Sequence, residues 1–101
     1  MHKVLVLYPH PQNANFRRHY EKVHLPLVAK LPGLLAYRHS FSIQREGGGK
    51  SPFYCIFEAD YPNAAAMVAA MQSPAGQAVL ADVATNFATT PATVVDYEVA
   101  D

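Results

Sequence analysis

The sequence predicts an α+β two-layer sandwich, and three observations carry that prediction. Short β-rich runs and helical patterns follow one another in the order β, α, β, β, α, β. The first helical segment repeats its apolar residues at steps of three and four, which places them on one side facing a sheet. The runs "VLVL" and "FYCIF" are apolar at successive positions, so both faces of their sheet need cover. With 101 residues, the chain is read as one domain spanning 1–101.

The first strand is read in Val4 to Tyr8, ended by Pro9 and the turn-rich "PHPQNAN". Asn13 or Asn15 caps the helix that follows. There Phe16, Tyr20, Val23, Leu27 and Leu31 form the inward stripe, and the helix closes near "LPGL". Two strand candidates come next, "LLAYRHSFSI" and "PFYCIFEA", joined as a hairpin through "QREGGGKS", whose three glycines give a flexible connection. The alanine-rich run from Ala64 to Met71 is a strong helix former. A second helical piece follows, with Ser73 as cap and Pro74 in its first turn. "ATVVDYEVA" completes the sheet.

Two helices cover one face of such a sheet, and the chain has no further helix for the other. An exposed apolar sheet is an association surface, so the expected partner is a second copy in a closed twofold homodimer, with the sheets face to face. Eight basic and eight acidic residues balance. That leaves no field to gather nucleic acid or anionic lipid. The N-terminal apolar run is too short for a signal peptide or a membrane span. The one cysteine, Cys55, has no partner for an internal disulfide, which fits a reducing cytoplasm, and it reads as a small buried hydrophobe. His2, His10, His19 and His39 lack metal-site spacing, so no metal is expected. There is no GxGxxG fingerprint, and "GGGKS" lacks the first glycine and spacing of a phosphate loop, so no cofactor is expected either.

The chain resembles the EthD family, named for a protein of ethyl tert-butyl ether degradation, within the dimeric α+β barrel superfamily. One block carrying the resemblance is Tyr20, His24, Pro26 and "LPGL"; the other is Ser73, Pro74, Gly76 and Asp82. Glu58 also falls where the family commonly carries a glutamate, whereas no role is carried onto Asn86. The resemblance implies a ferredoxin-like fold and a homodimer whose paired sheets enclose small pockets. It does not fix a reaction, although some members are labelled reductases.

The chemistry available centres on His24. Pro26 lacks an N–H and crowds the carbonyl of Lys22, so a kink or restart is expected there, with Leu25 outside helical geometry and His24 on the flank of the stripe. That imidazole either satisfies the freed backbone or serves a small-molecule pocket, and the family resemblance favours the pocket. In the third strand Tyr54 and Glu58 alternate onto one face, opposite Cys55 and Phe57. If that face lines the barrel, Glu58 is the catalytic partner of His24; otherwise it is an end-of-strand carboxylate in water. Arg38 is a candidate for a substrate carboxylate or for pairing with Glu58, or else a solvated edge arginine. Tyr20 is core by phase, with its hydroxyl at the cavity rim, and it joins Arg38 and Tyr54 as a substrate-binding candidate. Two functions stay open. One is a catabolic enzyme, an oxidoreductase, isomerase, cyclase or decarboxylase, using a histidine acid/base on a small oxygenated or apolar substrate. The other is a noncatalytic accessory protein that binds a catabolic intermediate or a partner oxidoreductase.

Overall fold

A computed structural model describes residues 1–100. In chain order the elements are β1 (His2–Pro9), α1 (residues 16–28), β2 (Ala36–Ser40), β3 (Phe53–Tyr61), α2 (Ala64–Gln72), α3 (Pro74–Asn86) and β4 (Thr93–Glu98). The sheet order is β2-β3-β1-β4, and every neighbouring pair is antiparallel. All three helices pack on one side of it. This is the ferredoxin-like α+β arrangement, with the expected second helical region divided in two at Ser73.

The division at Ser73 follows from local chemistry. Asn63 caps α2 by accepting the Ala66 N–H at 2.8 Å, and Ser73 caps α3 by accepting the Gly76 N–H at 3.1 Å. Pro74 occupies the first turn of α3, where its missing N–H costs little. Gly76 is required by proximity: a Cβ there would collide with the backbone of Ala70 and Met71, so the two helices meet across a bare Cα.

Helix α1 departs from the expectation of a break. Leu25 is helical at φ −60°, ψ −40°, and the helix runs through Pro26 without interruption. Instead, Tyr20–His24 form a π turn, closed by the Leu25 N–H on the Tyr20 carbonyl. The wider turn ends just ahead of Pro26, which then sits at the start of a fresh α turn, where no N–H is needed. The π turn also resets the helical phase. Phe16, Tyr20, His24 and Val28 are all buried at a spacing of four. In an unbroken α-helix each such step would drift by about 40° and carry the last residue off the face. The π turn absorbs that drift. Val23, expected in the inward stripe, is instead 42% exposed, while His24, expected on the flank, is 4% exposed.

Alternation along β1 and β3 gives the sheet two different faces. Tyr8, Cys55, Phe57, Ala59 and Tyr61 point to the helices, where they form the core with Phe16, Tyr20, Val28, Ala70, Val79 and Phe87. The opposite face carries Lys3, Leu5, Leu7, Ile56, Glu58 and Asp60, with Arg38 from β2 and Val95 and Tyr97 from β4. Strand β3 begins at Phe53, after a Gly-rich connection in which Gly47, Gly48 and Gly49 all take positive φ.

Candidate functional site

Between the helix layer and the sheet lies a cavity of about 320 Å³. Its walls are mostly apolar, from Val6 and Phe57 on the sheet and Val79, Leu80 and Val83 on α3, and its polar lining includes Tyr8, Tyr20 and His24. This is the composition of a small-ligand site: apolar walls and a few convergent polar groups.

His24 is brought here by the π turn and held by α3. Its Nδ1 lies 2.8 Å from Asp82 Oδ2. The other carboxylate oxygen, Oδ1, accepts from His19 Nε2 at 2.8 Å and from Asn86 Nδ2 at 2.8 Å. Burial works against the charge on Asp82, but the hydrogen bonds from His19, His24 and Asn86 outweigh it and hold the carboxyl below the ordinary 3.8. An ionised Asp82 can only accept, so His24 must carry its proton on Nδ1. That leaves Nε2 unprotonated on a residue lining the cavity. For His24 itself burial dominates and lowers its pKa from 6.5, with Asp82 only partly offsetting this. The pair is therefore a neutral imidazole backed by a carboxylate, a poised proton acceptor at neutral pH.

Tyr20 stacks on His24 with ring centroids 5.6 Å apart, and Phe87 closes on the same imidazole edge-on at 4.9 Å. The Tyr20 hydroxyl is buried beside the weakly interacting Cys55 sulfur and has no nitrogen or oxygen hydrogen-bond partner among the described residues. Burial raises its pKa far above the ordinary range, so it remains a protonated donor. Beside it, the Cys55 thiol is fully buried and pushed up to about 11 by burial, so it is not a thiolate nucleophile at neutral pH.

The other sequence-predicted residues lie elsewhere. Glu58 is on the opposite face of the sheet, 2.8 Å from Lys3 Nζ and 3.5 Å from Arg38, and does not meet His24. Arg38 stays on that face as well, reaching Asp60 at 2.6 Å. Tyr54 does not stand beside Glu58 in a pocket; its ring packs edge-on against Phe16 and Phe41 at the end of the sheet. The register irregularity at Tyr8 and Pro9 marks the same end. The partner of His24 is Asp82, which the sequence singled out only within the family block and with no role; it is a carboxylate inside an alanine-rich helix with Asn86 four residues on. An acid and an amide one turn apart on a largely apolar helix were the available signal. Among the described residues no group of histidine, cysteine, aspartate and glutamate side chains is arranged to hold a metal ion, and no helix is long and apolar enough to cross a membrane.

Comparison with known proteins places this chain in a family. The EthD domain matches residues 9–91, which include α1, β3 and α3. An uncharacterized 11.0 kDa protein of the thcB-thcC intergenic region of Rhodococcus erythropolis is 34% identical over 89 residues, covering 87% of this chain and 84% of that one. An ethyl tert-butyl ether degradation family protein from Bacillus halodurans superposes with a TM-score of 0.88 at 28% identity, over 99% of both chains. An EthD-like protein from Ralstonia eutropha does so at 0.74 and 26%, covering 96% of this chain and 89% of that one. Two more distant structures share the fold alone. A dimeric ferredoxin-like protein from Thermobifida fusca has a TM-score of 0.73 at 15% identity, over 97% of this chain and 90% of that one. The hydroxynitrile lyase of Passiflora edulis has 0.74 at 10%, over 99% and 94%. With more than half its length matched by one domain family, and with a relative above 30% identity over most of both chains, this protein belongs to the EthD family.

Proposed function

We propose that the chain is a small-molecule acid/base enzyme acting on a largely apolar, oxygenated substrate, with His24 as the proton acceptor. The observation that carries this reading is the ion-backed imidazole: Nδ1 is committed to Asp82 at 2.8 Å, and Nε2 belongs to a cavity-lining residue. A carbonyl compound entering the cavity would lose a proton from the carbon next to its carbonyl to His24 Nε2. The developing enolate oxygen would accept the otherwise unpartnered hydrogen bond of the Tyr20 hydroxyl. Asp82 stabilises the imidazolium so formed, and the apolar walls keep bulk water from the anion. Return of the proton at another atom gives isomerisation, and attack of the enolate carbon on a second carbonyl gives cyclisation.

The working unit in this reading is a homodimer. Leu5, Leu7, Ile56, Val95 and Tyr97 form an apolar area on the sheet face without helices, and the Thermobifida fusca neighbour is described as dimeric. Glu58 and Arg38 then belong to the subunit interface rather than to the catalytic centre.

The experiment is deuterium exchange by NMR. A panel of apolar ketones and β-diketones is incubated in heavy water with wild-type protein and with His24→Ala. Exchange next to the carbonyl that depends on His24 supports the enzyme. Binding of the same compounds without any exchange identifies a noncatalytic carrier.

A further inference from the structure

The geometry points to a second polar station in the cavity, formed by Asp96 with His2, which selects elongated substrates bearing a hydrogen-bond donor at the end remote from the reacting carbonyl. This rests on the cavity being the substrate site and names the substrate class it takes.

Asp96 lies on β4 opposite Val4 of β1, so its side chain is on the helix side of the sheet, where it lines the cavity. Its neighbours on that side are Val4 and Val94. The Asp96 side chain is 47% exposed, so water reaches it in the free protein, and a ligand seated against it displaces that water and must replace its hydrogen bond. His2 is one donor: Nε2 lies 2.7 Å from Asp96 Oδ1. That leaves Oδ2 to accept from a ligand. His2 is buried, so it fixes the carboxylate without competing for the space in front of it.

The two stations sit at opposite ends. Tyr8 of β1 packs against Tyr20, with ring centroids 5.6 Å apart, and marks the His24 end. Val4, four residues earlier, marks the Asp96 end. At the rise of a β-strand this separates them by about 13 Å. The closed end holds His24 and Tyr20, at 4% and 0% exposure. Leu80, Val83 and Val94, all exposed, lie towards the β4 edge and mark the mouth. A substrate therefore enters carbonyl first, lays its chain along Val6 and Phe57, and leaves its far end beside Asp96. A hydroxyl or an ammonium there satisfies the carboxylate, while a methyl leaves it unpaired.

Octanol, its α,ω-diol and the corresponding α,ω-amino alcohol serve as probes, titrated calorimetrically into wild-type protein, Asp96→Leu and Asp96→Asn. Relative to octanol, the diol and the amino alcohol are expected to lose about tenfold or more of their preference in Asp96→Leu, as the loss of a hydrogen bond to a charged group requires. Asp96→Asn keeps an acceptor, so it should retain the diol and lose the amino alcohol, which separates a neutral donor from a cation. An unchanged preference in both variants, with octanol still bound, overturns the second station and leaves the acid/base reading standing. Failure of all three probes to bind wild-type protein overturns the cavity as a ligand site, and this inference with it. Loss of deuterium exchange in His24→Ala is read separately and is not expected to alter the preference ratios.

Discussion

The two faces of the sheet handle charge in opposite ways, although the same strands supply both. On the open face, Lys3, Arg38, Glu58 and Asp60 neutralise one another. Arg38 above all holds Asp60 below its ordinary pKa, while the carboxylates raise both cations. On the helix face, ionisable groups stand in apolar surroundings, and burial is the largest influence on Tyr20, His24 and Cys55. Paired charges on a surface contribute little to stability and serve register and partner choice. Desolvated groups fixed by one partner are the ones prepared for chemistry.

The sharpest way to break this contrast is to remove the chemistry from one face alone. His24→Ala should reduce deuterium exchange by about a hundredfold or more, the usual yield of a positioned base, while light scattering still reports a dimer. An equal rate would move the chemistry away from the helix face. A nearly comparable effect is expected from Leu7→Glu on the other face, which sets an unpaired carboxylate in the apolar part of the interface. Several kcal/mol of desolvation should weaken dimerisation by more than about a hundredfold. Ultracentrifugation measures this, and a variant dimer of wild-type strength would refute the sheet-to-sheet association.

pH sharpens the comparison further, with a smaller effect. His24 has a folded pKa below its ordinary 6.5, so the unfolded chain binds its proton first. The stability that His24 contributes is therefore complete above about 6.5 and declines as pH falls towards the folded value. Asp82, lowered from 3.8, adds a second loss of the same sign at still lower pH. Urea titrations should show the upper step vanish in His24→Ala, and the acid limb of exchange should fall below 6.5. The smallest expected change is that of Pro26→Ala. Restoring an N–H lets the π turn relax towards α geometry, so stability should shift by no more than about 1 kcal/mol. His24 should nonetheless lose alignment with Asp82 and exchange should slow. Unchanged exchange would show that the π turn does not depend on the proline.

Much of the architecture was legible because it rests on local signals. The cap Ser73, Pro74 at the start of α3 and the alternation in β1 and β3 each follow from neighbours in sequence. The arrangement of the candidate site was only half legible. His24 was found through Pro26, a local irregularity, but its partner Asp82 is 58 residues away. Glu58 stood in its place because alternation pairs residues on a face without saying which face the helices cover. Val23 was misplaced for a related reason: the 3.6-residue period assumes an unbroken α-helix, and the π turn exchanges Val23 for His24. The division of one helical region into α2 and α3 was visible in "SP", yet the need for Gly76 was not, since it arises from two helices meeting in space.

That bare Cα at Gly76 sets the terms on which the protein can evolve. It lies six residues before Asp82 on the same rigid helix, about 9 Å along the axis, so any side chain there would displace α3 as a lever and carry the carboxylate away from His24. Drift at this position is closed to selection, as are Ser73 and Asp82 themselves. Leu80, Val83 and Val94 carry exposed side chains that line the cavity, and none of them sits at the helix contact made by Gly76. A lineage changing its ligand would thus be expected to vary at these three positions while α3 stays anchored, letting the mouth of the cavity wander around a stationary His24–Asp82 pair.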